Sequence, residues 1–189
     1  GGIPIGDAVM IAGPTGSGKT TFAAHFVAEG GRAGEAAVVA VFEEYPEEYL
    51  SRLSSHKGIA GMREEGRLKV IYLRPLDLSV DETLSEIMLA VKEIGATRVV
   101  IDSLSGFEIA LAPGFREDFR ESLYRLVGAL TATGVTVFMT SEVVSGYPEL
   151  NFTNDRVSFI TDDVISQRYV ELHGRLQKVM IVVKMRGSV

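Results

Sequence analysis

Cysteine is absent from the 189-residue chain. Its absence rules out disulfide scaffolds, cysteine-rich zinc sites and thiol nucleophiles. It also fits a reducing compartment, and the expected location is cytoplasmic. No apolar run approaches the roughly 20 residues a helix needs to cross a bilayer. The opening Gly1-Gly2-Ile3-Pro4 does not have the basic-then-apolar character of a secretory leader. Positive charge is in deficit as well. Lys+Arg number 19 against 25 Asp+Glu, a formal net charge of −6, which weighs against non-specific nucleic-acid binding as the main role. No internal repeat, low-complexity tract or linker interrupts the sequence. What is present, 46 % hydrophobic and 23 % charged residues, suits a single folded domain over residues 1–189. The abrupt start and the abrupt stop after Lys184-Met185-Arg186-Gly187-Ser188-Val189 lead us to expect a trimmed or partial chain.

Hydrophobic patterning gives the order of elements. Short apolar runs predict buried strands at 8–12, 36–42, 68–72, 98–101 and 135–139. Helical spacing predicts helices at 19–29, 46–55, 81–94 and 116–132. Gly30-Gly31 and Gly95 stop the first and third of these, and Pro46 sits where a first turn tolerates proline. Two further strands, 164–171 and 176–184, flank His173-Gly174-Arg175 as a hairpin. The expected fold is therefore α/β, a mostly parallel sheet flanked by helices with an antiparallel C-terminal hairpin. Ligands of such sheets bind beyond the carboxyl ends of the strands. The residues that follow each strand therefore carry the functional information.

After the first strand comes Gly13-Pro14-Thr15-Gly16-Ser17-Gly18-Lys19-Thr20, which matches G-x-x-x-x-G-K-[ST] between a strand and a helix. Glycines there let backbone N–H groups surround phosphate oxygens, and the helix N-terminus adds positive potential. Lys19 is placed to reach β- and γ-phosphates, and the Thr20 hydroxyl to meet Mg²⁺. Gly13, Thr15, Gly16, Ser17, Gly18, Lys19, Thr20 and Thr21 are the expected nucleotide contacts on this segment.

After the second strand come Glu43 and Glu44. They either serve a metal-bound water and its proton or are ordinary acids at a helix start. Asp102 closes Val99-Val100-Ile101 in the Walker B manner, a carboxylate near Mg²⁺. Ser103 beside it is either a polarising group or a turn serine. Thr140, Ser141 and Glu142 after the fifth strand either sense the γ-phosphate or cap the strand. His25, His56 and His173 show no ligand spacing to one another.

With these residues in view, the chain resembles the KaiC family of RecA-like ATPases, and more closely the second ATPase repeat of KaiC than the first. The resemblance covers essentially the whole sequence. It rests on the P-loop, on Val41-Phe42-Glu43-Glu44, on Val100-Ile101-Asp102-Ser103-Leu104-Ser105, on Ile160-Thr161-Asp162-Asp163, on Tyr169-Val170-Glu171-Leu172-His173-Gly174 and on the terminal Lys184-Met185-Arg186-Gly187-Ser188. The resemblance implies Mg²⁺-dependent binding and hydrolysis of ATP. Glu43 would be the general base near Mg²⁺, Glu44 its support and Asp102 the second metal-side carboxylate. Ser55 would lie near the nucleotide, and His56 where relatives carry an aromatic ring beside the adenine. Lys184, Met185, Arg186 and Ser188 would contact the nucleotide of a neighbouring subunit, which implies a homo-oligomeric ring, usually a hexamer. Clock-type relatives also phosphorylate two adjacent hydroxyl residues before the I-T-D motif. Here that place holds Ser158 and Phe159, with Thr153 upstream, which leaves Ser158 as the candidate phospho-acceptor.

By spacing alone, Lys184 and Arg186 point to one face of a strand. They are either a cationic finger for a neighbour's γ-phosphate or edge-strand charges that discourage aggregation. Two rival functions stand beside the ring ATPase. A DNA-dependent motor or recombinase would want basic loops after the fourth or fifth strand. No Lys or Arg lies between Ser103 and Phe115, nor between Ser141 and Asp155. A nucleotide-gated interaction module with little turnover would use the same pocket.

Overall fold

The computed structural model describes residues 2–54, 56, 58–73, 79–111, 119–143 and 160–186. Its sheet has seven strands: β1 (Ala8–Gly13), β2 (Ala37–Val41), β3 (Leu68–Tyr72), β4 (Arg98–Asp102), β5 (Thr136–Glu142), β6 (Asp163–Leu172) and β7 (Arg175–Met185), in the spatial order β3-β2-β4-β5-β1-β6-β7. Every neighbouring pair is parallel except β6 and β7. All residues of β1 and β2 are buried, as expected of parallel strands covered on both faces.

Alternation along each strand divides the core in two. One side gathers Met10, Val38, Phe42, Ile101 and Met139 against α4 (Val80–Ile94), α5 (Leu104–Ala110) and α6 (Phe119–Thr131). The other gathers Val9, Val39, Val100 and Phe138 against α1 (Lys19–Arg32), α2 (Pro46–Leu53) and α3 (Ile59–Glu64). Here Phe26 of α1 stacks on Phe138 at 5.2 Å. The Ser79 side chain accepts the Glu82 N–H in a capping box that starts α4, and Gly95 stops it with φ 62.

The predicted strands and the four longer helices are found, with shifts at their ends. α2 ends at Leu53 rather than at 55, and both hairpin strands run longer than expected. α3 and α5 were not expected. They have 6 and 7 residues, under two turns, too short to display a 3.6-residue period. The expected start of α6 at Arg116 lies outside the described residues. Among the described residues, no helix is long and apolar enough to cross a membrane.

Candidate active site

The sheet order decides which polar residues meet. β2, β4, β5 and β1 are consecutive neighbours, with Val41 opposite Asp102 and Gly13 opposite Glu142. Their carboxyl ends therefore deliver Glu43, Asp102, Glu142 and the P-loop to one rim.

The P-loop is shaped to receive an anion. Gly16 and Gly18 have φ of 75 and 105, the left-handed region that side chains avoid. A Cβ on Gly13 would lie 2.8 Å from both the Gln167 backbone oxygen and Ser17 Oγ, so only glycine fits against β6. Lys19 Nζ donates to the carbonyls of Gly13 at 2.9 Å and Pro14 at 3.0 Å. Burial pulls the Lys19 pKa below that of an ordinary lysine, while the carboxylates of Glu142, Asp102 and Glu43 push it back up. Ser17 Oγ is buried with no hydrogen-bond partner. Left-handed glycines, an orphan hydroxyl and a desolvated ammonium on backbone carbonyls together fit a polyphosphate. Thr20 is half-buried and Thr21 exposed on the first turn of α1.

Each carboxylate is held by a residue from another element. Asp102 Oδ1 accepts the Thr140 hydroxyl at 2.5 Å, and its Oδ2 accepts the Tyr49 hydroxyl at 3.1 Å. Thr140 is fully buried and therefore orients Asp102 rather than facing a phosphate. Burial first, then Asp102, pushes the Tyr49 phenol well above its usual pKa, which keeps it a donor. Ser103 Oγ donates to Glu43 Oε1 at 3.0 Å and accepts the Gly106 N–H at 3.1 Å. A Cβ on Gly106 would come within 2.8 Å of Glu43 Oε1, so this glycine lets the carboxylate lie against α5. Glu44 turns to an ion pair with Arg52 on α2. Its pKa is raised, chiefly by burial, against the lowering effect of Arg52. Glu142 accepts the Thr15 hydroxyl. Ser141 lies opposite Ala12 in the strand register.

Removing the Thr140 hydroxyl tests this support. Thr140→Val keeps the shape and leaves Asp102 Oδ1 without its donor. A hydrogen bond to a charged group contributes about 1.5–3 kcal/mol. The variant should lose stability on that order, read as a lower urea midpoint at unchanged m. An unchanged midpoint would show that the Thr140 hydroxyl does not hold Asp102.

The hairpin of β6 and β7 reaches both ends of the sheet. At the P-loop end, Tyr169 Oη and Lys178 Nζ donate to the Gly16 carbonyl at 2.8 and 2.9 Å. At the opposite end lie Lys184, Met185 and Arg186. Lys184 Nζ donates to the Thr161 carbonyl at 2.5 Å, and Arg186 Nη1 to Asp162 Oδ1 at 2.9 Å. Met185 is paired with Asp163, which in turn is opposite Val9 near the start of β1. β1 itself separates the two ends by roughly 15 Å at about 3.3 Å per residue. Lys184 and Arg186 thus lie across the sheet from their own Lys19. Ser55, Ser188, Ser158 and its neighbours Thr153 and Phe159 lie outside the described residues.

Tyr49, Lys178 and Gly106 are additions that the sequence did not single out, and Tyr169, quoted only within a motif, gains its contact with Gly16. The two histidines on α1 and before α3, His25 and His56, meet in an edge-to-face contact, with ring centroids 4.9 Å apart. A cavity of about 430 Å³ lined by Leu50, Ser54, Ile59, Ala60, Arg63 and Glu64 shares no residue with the phosphate cradle.

A family model described as "ATPase: KaiC" matches residues 1–189. The chain belongs to the KaiC ATPase family. It is 33% identical over 186 residues to the circadian clock oscillator protein KaiC of Picosynechococcus sp., covering 96% of this chain and 35% of the relative. It is 32% identical over 183 residues to the circadian clock protein KaiC3 of Synechocystis sp., covering 95% and 35%. The chain therefore spans about a third of the length of these curated relatives. The crystal structure of a KaiC-like protein from the hyperthermophilic archaeon Pyrococcus horikoshii superposes with a TM-score of 0.82 at 31% identity, over 99% of this chain and 82% of that one. This KaiC-type ATPase domain accordingly has the RecA-like α/β fold, with the antiparallel hairpin closing one edge of its sheet.

Proposed function

We propose that this KaiC-family domain, a single unit over residues 1–189, binds Mg·ATP between subunits of a homo-oligomeric ring and hydrolyses it there. The observation that carries the reading is the placement of Lys19 and Arg186 at opposite ends of one sheet. A chain built this way holds phosphates at one end and offers a cationic pair at the other, so one subunit's cations can complete the next subunit's site. That is arginine-finger chemistry supplied in trans.

Thr20, Asp102 and Glu43 present only oxygen donors, which suits a hard cation such as Mg²⁺. Among the described residues, no three or more His, Asp or Glu side chains form a ready metal cage. Mg²⁺ bound there with the nucleotide would supply positive charge against the phosphates. Glu43, fixed by Ser103, takes a proton from water as the water oxygen bonds to the γ-phosphorus and the bond to the β-bridging oxygen breaks. Lys19, with Lys184 and Arg186 of the neighbour, stabilises the charge that develops. Ser158, as an alternative nucleophile from the neighbour's segment, would take the phosphoryl group in place of water.

The test is mass photometry with and without Mg·ATP, alongside phosphate release. Mg·ATP should convert monomers to rings, with turnover tracking the ring fraction. Full-rate hydrolysis by a protein that stays monomeric would refute the shared site. The same incubation, read by mass spectrometry of the peptide holding Thr153, Ser158 and Thr161, should show phosphate on Ser158. Its absence in a hydrolysing preparation would make the domain an ATPase without autokinase activity.

A further inference from the structure

Glu142 is the acid at the P-loop that the proposed chemistry leaves without a task. It closes β5 directly opposite Gly13 of β1, and the next N–H, that of Val143, donates to the Gly13 carbonyl at 3.1 Å. Side chains alternate along a strand, so Glu142 shares the face of Phe138 and Thr140. On that face Phe138 packs with α1 and Thr140 meets Asp102. From there Glu142 Oε1 accepts the hydroxyl of Thr15 in the turn of the P-loop. Its side chain is otherwise exposed, and among the described residues it forms no ion pair. Burial is the largest influence on the Lys19 ammonium and disfavours its charge. Of the carboxylates that oppose burial, Glu142 comes first, ahead of Asp102 and Glu43.

The rim around Lys19 thus sets one ammonium among three carboxylates. Two of them, Asp102 and Glu43, belong to the oxygen set that suits Mg²⁺. Neutral hydroxyls hold both: Thr140 and Tyr49 on Asp102, Ser103 on Glu43. A divalent cation would answer their charge. Glu142 is tied to the P-loop itself, and its charge has no such counterpart. Like charges close to one another repel, most strongly where little salt or cation lies between them. We propose that Glu142 is a selectivity residue of the phosphate cradle: its carboxylate, held at the P-loop by Thr15, repels polyphosphate that comes without a divalent cation and so biases the cradle toward the Mg²⁺-bound nucleotide. This inference rests on the nucleotide reading of the P-loop and is independent of the ring and of the shared site.

The test reads binding rather than turnover. Isothermal calorimetry measures the affinity for a non-hydrolysable ATP analogue, adenylyl imidodiphosphate, once with excess MgCl₂ and once with EDTA. Glu142→Gln keeps the size of the side chain and an oxygen for the Thr15 hydroxyl, so it removes the charge alone. It should bind the metal-free analogue about tenfold more tightly and the Mg²⁺ complex at most about threefold more tightly. The preference for the complex therefore shrinks. The gain should fade as NaCl is raised, because salt screens an exposed charge. Glu142→Asp, which keeps the charge, should keep the parental preference, and circular dichroism checks the fold of each variant. A purely structural role for the Thr15 contact predicts equal shifts with and without Mg²⁺ and no dependence on salt. Equal shifts, or weakened binding of the Mg²⁺ complex alone, would overturn the proposal. A parent chain that binds the analogue in neither condition would overturn the nucleotide reading and this inference with it. A parent that binds, with an unchanged preference in Glu142→Gln, would overturn the inference alone.

Discussion

The Glu43→Gln chain should bind ATP as the parent does and hydrolyse it about 10²–10⁴-fold more slowly, the range that general-base catalysis contributes. Glutamine keeps the size of the side chain and an oxygen for the Ser103 hydroxyl, which donates to Glu43 at 3.0 Å. It cannot take a proton from the attacking water. Binding survives because the P-loop and Lys19 are untouched, so the loss falls on kcat with KM unchanged. Glu44 provides the control. Its carboxylate is engaged with Arg52 on α2, and Glu44→Gln should have the smaller effect. Single-turnover phosphate release with each variant decides the matter. Near-parental hydrolysis by Glu43→Gln, with hydrolysis lost in Glu44→Gln, would exchange the two roles.

The residues of this site differ in how far the sequence alone reveals them, for a physical reason. The P-loop is local: eight consecutive residues encode turn, cradle and helix start, and the motif is legible without knowledge of the fold. Glu43 and Asp102 are nearly as local, since each stands at the carboxyl end of a buried strand and parallel sheets present those ends together. The parts that hold them are not local. Tyr49 reaches Asp102 across 53 residues, and Ser103 reaches Glu43 across 60. Tyr169 touches Gly16 across 153. No periodicity encodes such contacts, which depend on which helix packs over which strand. Thr140 shows the limit most clearly. Following the expected strand at 135–139, it allowed a phosphate sensor or a strand cap; the structure puts it inside β5, and the sheet order makes it a prop for Asp102 by setting β5 beside β4. His25 and His56 meet for a similar reason. α3, which sets the turn beneath His56, is too short to leave a pattern in the sequence. The hairpin was legible as two strands, whereas the location of its two ends at opposite rims of the sheet became visible only in the strand pairing.

That opposition leads to the second large effect. Lys19→Ala should lose most ATP binding, because in the proposed site Lys19 is the cradle cation for the β- and γ-phosphates. Arg186→Ala should keep binding and lose hydrolysis, since Arg186 is the finger of the proposed shared site and removing an arginine finger costs about 10³–10⁵-fold. In its own chain Arg186 is fixed by Asp162. Its backbone N–H donates to the Asp162 carbonyl at 3.2 Å, and Nη1 donates to Oδ1 at 2.9 Å. The substitution therefore removes a cation at the far rim and leaves the local P-loop intact. The two variants fail at opposite ends of the subunit, so a mixture can repair what neither can alone. Wherever an Arg186→Ala subunit offers its intact P-loop to the far end of a Lys19→Ala subunit, one complete site forms. Mixed in equal amounts under assembling conditions, the two dead variants should recover a measurable share of parental hydrolysis. Excess Arg186→Ala should instead poison parental subunits. If Lys19 and Arg186 served a site within one chain, no mixture would regain activity, and the loss in parental mixtures would merely follow dilution. Phosphate release across a mixing series therefore separates a shared site from a private one, and recovery absent at every ratio would reject the shared one.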